Sequence, residues 1–145
     1  MLFDDTIEGY YYLLHRPSVG RQSDLAISLA RSRSIEGDWE DCGTLFTARQ
    51  QEGYDHVWNG AGTVPIPLGD NRYIMIYHTG YLKSNGDRTY TADAALLDFN
   101  HFNISDPSSI VVKRLEHLMV PQVSYEKKAP DDPDHQLDVI FPCGS

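Results

Sequence analysis

Apolar positions along most of this chain recur every second residue rather than every third or fourth. In residues 24–31 (Asp-Leu-Ala-Ile-Ser-Leu-Ala-Arg), Leu25, Ile27 and Leu29 fall on one face and small residues on the other. That period of two predicts a strand. Leu and Ala also favour helices, so a helix is the rival reading for this one segment. Residues 9–16 (Gly-Tyr-Tyr-Tyr-Leu-Leu-His-Arg) are a strand-length apolar run that stops at Pro17. Residues 34–39 read as a turn, followed by a short strand through Leu45 and Phe46. Residues 63–67 carry Pro65 and Pro67. Alternate prolines cannot both sit in a central ladder, so this strand is bulged or bonded along one edge. Residues 68–72 (Leu-Gly-Asp-Asn-Arg) form a turn, and residues 73–78 (Tyr-Ile-Met-Ile-Tyr-His) give the strongest strand signal, so 63–78 reads as an antiparallel hairpin.

Residues 82–88, with Asn85-Gly86 at their centre, predict an exposed hairpin loop, and residues 90–98 return as a strand. A short edge strand follows at 110–114, then a charged, proline-containing loop at 125–135 and a last strand at 137–142. No long segment has the period of an amphipathic helix. Short strands joined by turns restrict the fold to a sandwich, a barrel or a propeller. Three strands lie within about 8–46 and four within about 60–115, and a four-stranded antiparallel unit of roughly 40–60 residues is a propeller blade.

Composition narrows the picture. At 145 residues the chain has room for one ordinary domain. With 41% apolar and 23% charged residues it folds, and nine Tyr, 11 Gly and 8 Pro favour strands and turns. Lys and Arg number 12 against 21 Asp and Glu, a formal charge of −9. That balance argues against nucleic acid and against anionic membrane surfaces as partners. No apolar run approaches the ~20 residues of a membrane helix. The N-terminus is acidic and lacks an apolar core, so no signal peptide is expected and the cytoplasm is the default location. Cys42 and Cys143 form no Cys-x-x-Cys and have no His at zinc-finger spacing, so both read as ordinary thiols. The six His (15, 56, 78, 101, 117, 135) are not spaced as metal ligands, and no cofactor or metal is expected. Asp131-Asp-Pro-Asp134 reads as a solvated acidic loop, since it lacks the calcium-loop spacing.

Five collinear blocks carry a resemblance. Phe3 with Gly9-Tyr-Tyr-Tyr-Leu-Leu-His-Arg-Pro17 resembles an L-F-P…G-K-Y-x-L-H-R-P segment. Asp55 with Asn59-Gly-Ala-Gly-Thr-Val-Pro-Ile66 resembles W-D…I-G-A-G-P-P-P-I, and Tyr73-Ile-Met-Ile-Tyr-His78 resembles W-L-L-I-Y-H-G. Residues 90–98 followed by Asp106-Pro107 resemble Y-x-x-G-A-A-L-L-D-L-x-D-P-S, and Val139-Ile-Phe-Pro-Cys-Gly144 resembles V-V-F-P-C-G. In this order they are similar to glycoside hydrolase family 130, the β-mannoside phosphorylases and related mannosidases. The resemblance implies an all-β fold, part of a five-bladed β-propeller with the sugar site in its central channel. This chain would supply about two four-stranded antiparallel blades, 1–48 and 55–120, and at 136–145 the opening strand of a third. The match begins inside the innermost strand of one blade and stops in that of another, which suggests a fragment.

The resemblance also implies what is missing. The family's general acid is an Asp in an E-D-P-R motif upstream of everything matched, as are most of its phosphate-binding cations, and this sequence has no E-D-P-R. Asp106-Pro107 is followed by Ser and falls in another block. No catalytic residue is therefore assigned, and inorganic phosphate enters as co-substrate only if the chain is active.

Nine residues are implied to touch sugar. His15 and Arg16 match H-R-P and would hydrogen-bond hydroxyls, or else Arg16 is salt-bridged at a strand end. Asp55 would accept two hydroxyls, or cap a turn. Trp58 offers a stacking face or blade-to-blade core. Gly60 and Gly62 permit close approach of a ligand or mark a bulge. Tyr77 and His78 match Y-H, with His78 either donating to sugar or phosphate or bonded between blades. Tyr90 matches the Tyr before the L-L-D strand. Three residues depart from the pattern: Asn59 stands for Ile, Thr79 for Gly and Asp93 for Gly.

Two blades alone expose apolar blade faces, so a homo-oligomer covering them is expected, with Phe3, Phe141 and the 96–97 strand as candidate contacts. Three functions follow: a carbohydrate-binding, catalytically incomplete relative that takes a β-mannoside-like ligand; a bacterial glycosidase or phosphorylase completed by oligomerisation or a partner chain; or a non-catalytic interaction module.

Overall fold

The structure, a computed structural model, describes residues 1–17, 25–129 and 137–142. It is all-β, built from a three-stranded antiparallel sheet and a six-stranded sheet that is antiparallel except for one short edge strand. The first contains β1 (Tyr11–His15), β2 (Ile27–Ser32) and β3 (Glu40–Phe46) in that order. The N-terminus lies beside β1 through a Leu2–Leu13 bridge, with the Phe3 N–H donating to the Tyr12 carbonyl at 3.0 Å. The described part of the segment read as strand or helix thus resolves as strand, Ile27–Ser32. Tertiary pairing decides this, because Leu14 opposite Leu29 buries the period-two face.

The second sheet runs β4 (His56–Ala61), β6 (Arg72–Leu82), β7 (Arg88–Asp98) and β8 (Val111–Met119). β5 (Ile66–Gly69) pairs with the start of β6. The β5–β6 turn is only Asp70 and Asn71, both at positive φ (51° and 58°), as a two-residue type I′ turn requires. Pro67 lies in this ladder and Pro65 precedes it, which meets the constraint of the two prolines. β6 and β7 form a hairpin closed at Asn85-Gly86, where Gly86 has φ 87°.

Three features differ from the sequence expectation. β4 is a strand that the sequence reading missed, because residues 57–60 are buried on both faces and no alternation shows. β8 runs to Met119, well beyond residue 114, since a bulge at its middle hides the pattern. β9 (Leu137–Val139) is shorter than the strand expected over 137–142 and pairs in parallel with residues 88–90 of β7.

The core lies between the sheets. Odd residues of β6 and β7 (Tyr73, Met75, Tyr77, Ala95, Leu97) meet Phe3, Tyr12, Leu14, Ile27 and Leu29 of the first. Phe3 is its hub, edge-on to Tyr73 at 5.0 Å and to Phe99 at 5.3 Å. Burial pushes the Cys42 thiol up to about 11, so it stays protonated and unreactive at neutral pH. Phe3→Ala removes the ring on which both sheets converge and lowers the unfolding free energy by about 3–5 kcal/mol, read from urea titration.

Candidate functional site

Even residues of β6 face away from the core, and there the predicted residues converge. Gly60 of β4 pairs with His78 of β6. A Cβ on Gly60 would lie 2.1 Å from His78 Nε2 and 3.1 Å from Arg16 Nη1, so only glycine lets both side chains approach the strand. Arg16, just past β1, reaches from the first sheet and donates through Nη1 to the Asn59 carbonyl at 3.4 Å. The His78 ring is 6% exposed and stacks on Phe141 at 4.0 Å. Tyr90 stands 6.0 Å from His78 and 5.6 Å from both Trp58 and Phe141. Gly62 borders this cluster, where a Cβ would meet Ile76 O at 2.6 Å and Pro142 Cγ at 3.0 Å.

Six of the nine sequence-predicted residues therefore share one patch: Arg16, Trp58, Gly60, Gly62, His78 and Tyr90. Trp58 is buried with its indole against Gly80, so it forms the wall behind the patch and offers no free stacking face. The other three lie elsewhere. His15 turns to Asp41 of β3, 3.6 Å away. Asp55 is exposed, and its N–H donates to the Leu82 carbonyl at 2.8 Å to extend the β4–β6 ladder. Tyr77 neighbours His78, so strand alternation sends it into the inter-sheet core. There its ring lies 5.3 Å from Phe46 and its hydroxyl accepts from Arg114 Nε at 3.2 Å. Phe141 is a patch residue that sequence reasoning had placed only in an oligomer contact; its signal was the aromatic within the fifth matched block.

His78 is neutral here. Burial, and then the Arg16 charge, hold its pKa down at about 4. Its Nδ1 is buried and has no hydrogen-bond partner. Such an atom is costly to leave buried without a partner.

Behind the patch, on the core-facing side of the same strands, lies a polar network. Asn59, Thr79 and Asp93 are all buried, the first and last at 0% exposure. The Thr79 hydroxyl sits between the Asn59 side-chain oxygen, 3.0 Å away, and the Asp93 carboxylate. Asp93 accepts two more bonds, from the Thr91 hydroxyl at 3.1 Å and the His117 N–H at 2.8 Å. The three residues that depart from the resembled pattern are thus bonded to one another. Asp93 itself is satisfied and faces away from His78. Among the described residues, no three His, Cys, Asp or Glu are grouped to hold a metal ion, and no helix is long and apolar enough to cross a membrane.

Comparison with known proteins gives this patch a context. No protein-family model matches the chain. It is 32% identical over all 145 residues to the β-1,2-mannobiose phosphorylase of Listeria innocua. The solved structure of that enzyme's complex with β-1,2-mannobiose superposes with a TM-score of 0.68 over 99% of this chain. The chain is homologous to part of a mannoside phosphorylase. It spans 36% of the length of that relative and shares the fold of that part of its β-propeller.

The His78 environment makes stability pH-dependent. Its folded pKa lies below the unfolded value of 6.5, so its neutral form stabilises the fold fully above pH 6.5. That contribution falls as pH drops from 6.5 to about 4, by about 3 kcal/mol in total. Urea midpoints of wild type and His78→Gln, compared at pH 7 and pH 4.5, show the wild type losing more on acidification.

Proposed function

We propose that this chain binds a β-mannoside-like carbohydrate on the patch formed by Arg16, Gly60, His78 and Tyr90, and that alone it does not cleave the ligand. The observation that carries this reading is the Arg16–Gly60–His78 contact, in which two sheets bring a guanidinium and an imidazole with an unpartnered nitrogen to one spot. The homology supports the ligand class, since the relative is a β-1,2-mannobiose phosphorylase. Arg16 presents several N–H donors to hydroxyls, and neutral His78 can accept at one nitrogen and donate at the other.

Cleavage needs a positioned acid and a second group, either a carboxylate or a phosphate. Asp93 is the carboxylate whose charge reaches His78, and it lies on the other face of the sheet with three donors of its own. Loss of a general acid costs about 10²–10⁴-fold in rate, and a neutral His78 beside a single Arg is a weak substitute. No cofactor is required for binding, and inorganic phosphate is needed only by a completed enzyme. The buried free thiol of Cys42 is compatible with a cytoplasmic protein.

Titration calorimetry with β-1,2-mannobiose tests the reading. Wild type gives a saturable signal without released mannose, and Gly60→Ala, which displaces His78, weakens it by at least about tenfold. Release of mannose or mannose phosphate by the purified chain favours the active reading instead. Silence in both assays leaves the interaction module.

One observation favours a completed site as the second reading. The patch face of the second sheet continues into apolar surface, with Ile66, Leu68 and Leu115 each about half exposed beside Ile74 and Leu96. A sheet apolar on both faces needs a layer on each. A second copy of this chain covering that face would also close over His78. Light scattering at micromolar concentration then gives a dimer or larger species, and Leu115→Lys shifts it toward monomer. A wild-type monomer contradicts this arrangement.

A further inference from the structure

A second cleft opens on the opposite face of the second sheet, beyond the edge of the first. It encloses about 450 Å³ between the segment that precedes β4 and the end of β8. Gln51, Tyr54, Tyr81, Lys83, His117 and Asp138 line it. None of these was implied by the resemblance.

His117 shows that the cleft is built rather than incidental. It is a non-glycine residue at φ 58°, a left-handed conformation that costs energy. It sits where β8 bulges against β7, with residues 116–118 facing Asp93 between the Ala92–Met119 and Ala94–Leu115 pairs. Bulges re-aim side chains. Here the backbone N–H of His117 is fixed by the buried Asp93 carboxylate at 2.8 Å, and its Nε2 lies 3.0 Å from the Tyr81 hydroxyl. Tyr81 in turn packs on Tyr54 at 4.9 Å, and Lys83 lies 5.9 Å from the Tyr54 ring centre. A strained residue, a buried carboxylate and two tyrosines thus shape one wall.

The lining chemistry sets the ligand class. Lys83 and Asp138 give one charge of each sign, so neither an anion nor a cation is preferred. The neighbouring Arg114 and Arg49 are already paired with Glu116 at 3.5 Å and 3.3 Å. An amide, an imidazole and the Thr89 hydroxyl supply donors and acceptors together, and half-buried Tyr54 supplies an aromatic surface. A neutral pyranose has this same mixture of hydroxyls and C–H faces. The volume falls in the range of small-molecule sites.

We infer that this cleft is a second carbohydrate site, taking a neutral mono- or disaccharide against Tyr54 and His117. It does not rest on the Arg16–His78 patch, which lies across the sheet. Saturation-transfer NMR with methyl β-mannopyranoside and methyl β-glucopyranoside tests it, using the full chain carrying Arg16→Ala to remove the other patch. Sugar signal persists in that chain. Adding Tyr54→Ala or His117→Gly weakens binding by about tenfold. His117→Gly also raises the melting temperature, because glycine adopts the left-handed backbone freely. Signal that vanishes with Arg16→Ala alone, signal untouched by either cleft variant, or no signal at tens of millimolar sugar overturns the inference.

Discussion

Eleven consecutive pairs between β6 and β7, from Arg72 opposite Asp98 to Leu82 opposite Arg88, fix which side of the sheet each side chain occupies. Everything else depends on that register. Tyr73, Met75 and Tyr77 go to the inter-sheet core, while Ile74, Ile76 and His78 go to the far face. A slip of one residue would exchange them, placing an imidazole in an aromatic core and a tyrosine against Gly60. The buried ring cluster around Phe3 opposes that slip, because it accepts only the odd set.

Two glycines turn this register into local structure. Across from His78, Gly60 leaves room for an imidazole and a guanidinium. Two residues further along β6, Gly80 leaves room for the Trp58 indole. The patch is therefore a relief cut into a strand pair by missing Cβ atoms, with larger rings laid into the gaps. Arg16 comes from the other sheet, so the patch exists only when the two sheets are packed.

The polar network on the core-facing side shows a different economy. A buried carboxylate is tolerated only with enough donors, and Asp93 has three. Two come from β6 and β7 hydroxyls and the third from a β8 backbone that bulges to provide it. Thr79 alone, or Asp93 alone, would leave a buried polar group unsatisfied, whereas together with Asn59 they are compatible with the fold. That is a physical reason for three departures from one pattern to occur together.

The strands within 9–16, 73–78 and 90–98 were legible as strand-length, largely apolar runs bounded by proline or turn signals. So were the tight turns at Asp70-Asn71 and Asn85-Gly86, whose residues carry their backbone preference with them. β4 and the outer half of β8 were not, since burial on both faces or a bulge erases the alternation. Of the patch, Arg16, Gly60 and His78 were readable through their matched blocks. That Tyr77 and His15 point elsewhere follows from side-chain direction, which only a packed register defines. By itself the sequence determined an acidic, all-β chain of short strands and the residue types available to the patch. Only the tertiary structure decided which of those residues meet, because contacts between Arg16 and Gly60, or Asp93 and His117, join positions far apart in the chain and depend on sheet packing rather than on local preference.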